Sequence, residues 1–133
     1  MPLAFAETTG GLAHAPAFVG EILASDVVNV VVTALTASEV DTAGYLKPGV
    51  PFLKTGALVT AGAVYGVTIE SIQVATSNSA AAIAAATVAQ PVTVGTIGTV
   101  NRDIAEDNLD RAYTAAEIAG FDLAGSKLHL TRT

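Results

Sequence analysis

Residues 44–75 read GYLKPGVPFLKTGALVTAGAVYGVTIESIQVA. Gly44, Pro48, Gly49, Pro51, Gly56, Gly62 and Gly66 recur every few residues between short apolar stretches, and such punctuation belongs to compact β-structure. Toward its end Glu70 and Gln73 are set among Val67, Ile69, Ile72 and Val74, a loose alternation. Strands are predicted over residues 50–54, 57–60 and 64–74. Upstream, residues 27–35 (VVNVVVTAL) are dense in β-branched side chains whose stiff χ1 suits a pleated strand, with Glu21 and Asp26 marking a turn or an exposed strand start. The fold class predicted is mainly β.

Working outward, residues 1–18 hold no period of 2 or 3.6 and carry a glycine pair at Gly10 and Gly11. They are expected to form an extended N-terminal arm, with a single β-rich domain over residues 19–133. Leu3, Phe5, Leu12 and Phe18 make this arm unlike a solvated linker. It either packs on its own domain or waits for a partner. Residues 77–89 (SNSAAAIAAATVA) combine an alanine run with β-like flanks, and a loop leading into a strand is expected. Pro91 should confine that strand's start to an edge or a first residue. Residues 92–100 (VTVGTIGTV) suit a strand whose Gly95 and Gly98 permit a bulge or close backbone approach.

One or two short helices are predicted near the C-terminus. Thr114 and Glu117 have the spacing of a capping box, so a helix is expected over residues 115–119, closed by Gly120 as a left-handed cap, with a single turn before it at 103–109. Residues 127–132 alternate, placing Leu128 and Leu130 inward and Lys127, His129 and Thr131 outward.

Composition narrows the function. Of 133 residues, 18 are charged, 14% against roughly 25% in ordinary soluble domains. The apolar half is built from small residues: 26 Ala and 16 Val stand beside 16 Thr, with no Trp. Too few charges to cover a monomer suggests that some surface is covered by another chain, the alternative being a monomer coated with Thr, Ser and Ala. The absence of Cys removes disulfide frameworks, thiolate metal sites and cysteine nucleophiles. A net charge of -6 with six dispersed Lys and Arg gives no footprint for nucleic acid, so no nucleic-acid partner is expected. The charge-free run over 71–101 holds Gln73, Asn78, Gln90 and Pro91 among weakly apolar alanines, so no membrane span is expected. No basic residue precedes Lys47, so no secretory signal is expected either.

Few residues offer chemistry. Asp103, Glu106, Asp107 and Asp110 would share one helical face, but a calcium loop needs alternating ligands and a glycine at its sixth place. A solvated face, with Arg111 paired to Asp107 and Arg102 nearby, is the expectation. Six of the twelve acids lie between residues 103 and 122, and this segment is predicted to face solvent. His14 and His129 have no Glu or His at metal spacing, and no G-x-S-x-G or phosphate-cradling loop occurs. The glycines at 62 and 66 and at 95 and 98 are too closely spaced for a dinucleotide fingerprint and read as turn and bulge positions. No catalytic, cofactor-binding or metal-ligating residue is therefore assigned, no cofactor is expected, and the protein is read as no enzyme. A pocket that joined a histidine to an acid would count against that reading.

From Tyr45 onward, over about two thirds of the chain, the sequence resembles the lambda-type head decoration proteins of tailed bacteriophages, which stabilise the capsid. Leu46-Lys-Pro-Gly-Val-Pro-Phe52 resembles the family's opening strand, Ala63-Val-Tyr-Gly-Val67 its small-residue "A-x-G-I" strand, and Gly98-Thr-Val-Asn-Arg-Asp103 its "G-x-V-N-x-D" element. The chain departs from that pattern in a longer region before Tyr45 and in an alanine-rich insert near 79–89. The resemblance implies a small β-tulip or barrel-like domain, assembling as a homotrimer at three-fold or quasi-three-fold positions on the outer surface of the head. There it would clamp the major capsid protein of the expanded shell, after synthesis in the bacterial host cytoplasm. It also implies an arm that contacts the shell, which makes Leu3, Phe5, Leu12 and Phe18 the capsid-contact candidates. The alternative is a receptor-binding or adhesive β-module of a virion fibre. Glycan binding would favour surface aromatics, and the chain has seven aromatics.

Overall fold

A computed structural model of the chain describes residues 14–131. Two long antiparallel strands, β1 (Phe18–Val31) and β6 (Ala89–Asn101), form its spine. Their β-branched runs pair Val28 with Val92, burying both. Between them in the chain lie four short strands: β2 (Tyr45–Leu46), β3 (Pro51–Phe52), β4 (Gly66–Thr68) and β5 (Ile72–Gln73). The larger sheet has the order β1-β6-β4-β3, and β7 (Lys127–Thr131) joins β6 in parallel; β2 and β5 form a separate antiparallel pair. Since β1 occupies one side of β6, β4 (at Val94 and Gly95) and β7 (from Ile97 to Asn101) share the other at different heights.

The mainly β expectation holds, in sheets that do not close into a barrel. Strand 27–35 begins earlier than predicted, at Phe18, and gives way at Val32–Ala34 to a 3-10 turn. Of the predicted strands between 50 and 74, short pairings survive at Pro51–Phe52, Gly66–Thr68 and Ile72–Gln73; Leu58 makes an isolated bridge to Phe52. Their brevity follows from the glycines. Gly56 takes φ +87° with its backbone pressed on Asn29, and Gly44 takes φ +88° against the Ala75 carbonyl, so the chain must turn at both places. Pro91 is the third residue of β6 rather than its first, in a stretch flanked by β1 alone and so locally an edge.

The alanine-rich segment is not a loop entering a strand: it forms helix α1 (Ala80–Ala84), whose N-cap Ser79 accepts the Ala82 N–H at 3.1 Å. Downstream, α2 (Arg102–Leu109) is two turns capped by Asn101 and ended by Asp110 in the left-handed conformation. The Thr114–Glu117 capping box opens α3 (Ala115–Asp122) as predicted, but Gly120 does not close it. The helix runs past Gly120, whose missing side chain lets it approach the Gly62 carbonyl; a Cβ there would lie 2.8 Å from that oxygen. The core is a cluster of mostly small aliphatic side chains, with Val30, Val67, Val94 and Val100 fully buried beside Leu46, Phe52 and Leu109.

Candidate functional site

The root of the arm is built into the domain. Asn108 on α2 donates to the Ala15 carbonyl at 2.8 Å and to the Pro48 carbonyl at 3.3 Å, and the Asn101 N–H donates to the Ala17 carbonyl at 2.7 Å. Ala17 is buried. Phe18 begins β1 with its ring over β6, where a Cβ on Gly95 would sit 2.4 Å from the ring and one on Gly98 3.2 Å. The two glycines therefore provide the close approach that the sequence suggested, and a register shift between Ala24 and Ser25 places an irregularity beside them. Of the contact candidates, Phe18 is thus half-buried on its own sheet. Leu3, Phe5 and Leu12 lie outside the described residues.

Beside this root opens a polar pocket of about 370 Å³, whose lining includes His14, Asp41, Thr42, Lys47, Asp107 and Asp110. Asp41 is held by its own turn, its Oδ1 accepting the N–H groups of Ala43 and Tyr45 at 3.0 Å each. Its Oδ2 lies 3.5 Å from His14 Nε2, and that nitrogen is buried without a hydrogen bond. Lys47 is 7% exposed. Burial pushes its ammonium below the usual lysine range, while Asp110, Asp41 and Glu39 pull it back up. The histidine and acid that sequence spacing kept apart, 27 positions distant, are therefore neighbours in one pocket. Among the described residues, no group of three or more His, Asp or Glu is placed to hold a metal ion.

The acid row behaves differently from its expected pairing. Arg111 does not bind Asp107. Its guanidinium grips Glu117 in two-pronged fashion, at 2.9 and 3.2 Å, and reaches Glu39 at 3.1 Å. Both carboxylate side chains are only 3% exposed. Arg102 pairs one turn on, with Glu106 at 2.8 Å. The pairing with Glu117, then that with Glu39, raises the Arg111 guanidinium still higher than usual against its own desolvation. Tyr113, stacked on Phe121 and donating to the Gly49 carbonyl at 2.7 Å, is pushed up chiefly by burial. Segment 103–122 is thus divided. Asp103, Asp107, Asp110 and Asp122 face solvent as predicted, whereas Glu117 is an interior charge.

The remaining feature is β1 itself. It is an edge strand, and its exposed large apolar residues are Val19 (44%), Leu23 (68%) and Val27 (56%). Val88, equally bare, adjoins its end, where the Val32 N–H donates to the Val88 carbonyl. Among the described residues, the backbone bond on the outer side of the strand lies near that end, where the Val31 N–H donates to the Gly56 carbonyl. The four residues 20–23 bulge out between the Val19 and Ala24 pairings, beginning at Gly20 with φ +71°. The strand expected over residues 27–35 includes Val27 but misses Val19 and Leu23, because β1 begins at Phe18.

No protein-family model matches the chain, and neither a curated protein nor a solved structure matches it. Among the described residues no helix is long and apolar enough to cross a membrane.

Proposed function

We propose that the protein is a structural, non-enzymatic component of a tailed-phage head. In this reading it binds the major capsid protein on the outer surface of the expanded shell, as a homotrimer at three-fold or quasi-three-fold sites. The observation that carries it is the bare apolar edge of β1, which runs directly on from the anchored root of the arm. An unpaired edge without basic guards is a liability for a free monomer and an asset for a protein whose working state is covered. A strand or arm from another chain would add main-chain hydrogen bonds along it. The fibre-adhesin alternative draws less support: among the described residues every aromatic side chain is buried or half-buried, so no exposed ring offers a sugar-stacking platform.

The test is binding to empty expanded heads stripped of their own decoration protein. The truncation must stop short of His14, because Ala15 and Ala17 hold α2 and β6. Full-length protein should co-sediment with the heads and a chain lacking residues 1–13 should bind at least tenfold more weakly. Equal binding would remove the arm from the account, and no binding by either chain would remove the capsid.

A second reading is favoured by the pocket at the arm's root, where His14 meets Asp41 beside the buried Lys47. A histidine hydrogen-bonded to a carboxylate is two members of a nucleophilic triad, and here the pair stands at 3.5 Å without that bond. Thr42 is the one hydroxyl among the described lining residues, and it lies on a turn with no base bonded to it. Hydrolysis of activated esters that disappears in His14→Gln would establish this enzymatic reading.

A further inference from the structure

We propose that copies of this protein join head to tail, the free edge of β1 in one copy continued by the free edge of β7 in the next. The inference rests on the reading of the protein as an oligomeric shell component, and it names the surface by which the copies meet. Both strands flank β6 at the same height: Val100 pairs with Phe18 on one side and with Leu130 on the other. Among the described residues no strand pairs with the outer side of either. β1 runs antiparallel to β6 and β7 parallel to it, so β1 and β7 point in opposite directions. A neighbour rotated about an axis along the strands therefore presents β7 antiparallel to β1, ready to extend the sheet.

Charge selects this joint over its rivals. Over the stretch of β1 level with β7, residues 18–24, the charged side chain is the exposed Glu21, whereas β7 exposes Lys127 and His129 and carries no acid. Two β1 edges related by a two-fold axis would set acids against acids, and two β7 edges would set bases against bases. Only the unlike pairing brings opposite signs together. The exposed apolar residues follow the same division: Val19, Leu23 and Val27 lie on β1, and Leu123 (46% exposed) stands just ahead of β7. A joint between unlike surfaces is heterologous, and repeated rotation closes it into a ring, which for the proposed function has three members.

The chain has no cysteine, so two single variants at exposed positions level with one another across β6, Val19→Cys and His129→Cys, both opposite Thr99, report the joint directly. Mixed in equal amounts at high concentration and oxidised, they should yield the mixed disulfide dimer, and the double variant should yield a ladder ending at three copies. Predominant Val19→Cys homodimers would overturn the joint in favour of two-fold edge pairing, and absence of any cross-link in a sedimenting monomer would overturn it outright. A second measurement uses charge. Glu21→Lys should weaken self-association severalfold, and adding Lys127→Glu to the same chain should restore it; unaltered association of the first variant would overturn the electrostatic selection. Head binding is scored separately. Wild-type protein that binds heads while the cysteines fail to join disproves the joint and spares the capsid reading, and the converse result disproves the capsid reading alone.

Discussion

The interior of the C-terminal segment and the outer edge of β1 treat polarity in opposite ways. Around Arg111 the chain buries charge and answers it: Glu117 and Glu39 share one guanidinium, Glu39 also takes the Thr36 N–H and hydroxyl at 2.8 and 2.9 Å, and Glu117 closes the cap of α3. Along β1 the chain exposes valine and leucine and leaves them unanswered. The first region is complete within one copy. The second is left uncovered among the described residues, and under the proposed function it is the surface that another chain would cover.

The largest effect should come from Arg111→Met, which strands two nearly buried carboxylates. Removing one partner of a buried charge pair costs on the order of 3 kcal/mol, read as a lower urea midpoint. Gly95→Ala should cost about 1–3 kcal/mol, since its Cβ meets the Phe18 ring and must push the start of β1 off β6. It should also raise hydrogen exchange at residues 17–19 while leaving α3 unchanged. Thr114→Ala removes the side-chain half of the capping box, for about 1 kcal/mol. Leu23→Gln, in contrast, should leave folding stability within about 0.5 kcal/mol and act on assembly alone; a loss of stability as large as that of Gly95→Ala would break the division between the two regions.

The smallest effect concerns Asp26. The Tyr65 hydroxyl donates to its carboxylate and, with the Val27 N–H, holds it below the usual carboxylate range. A depressed folded-state pKa contributes stability that is present above the unfolded value and fades as pH falls through the folded one. The Asp26 midpoint followed by NMR should therefore rise toward the ordinary value in Tyr65→Phe, with little change in stability because the group is exposed.

Local signals were legible in the sequence and distant ones were not. The Thr114–Glu117 box, the glycines under Phe18 and the alternation of KLHL all act within a few residues or through a required small side chain, and each appears in the structure. Ser79 stands directly ahead of the alanines and caps α1, a local signal that the loop expected over residues 77–89 leaves out. The bulge at 20–23 hid the first half of β1, because it breaks the alternation by which strands are recognised. Arg111 with Glu39, and His14 with Asp41, are separated by 72 and 27 positions, and no local pattern ties residues that only the folded sheet brings together.

Amide hydrogen exchange along residues 19–28, compared between dilute protein and protein bound to expanded heads, tests most directly whether another chain covers β1. The account predicts that these amides slow markedly on the shell while those of β4, already paired on both sides, stay as they were. Equal exchange in the two states, with the protein demonstrably bound, would contradict it.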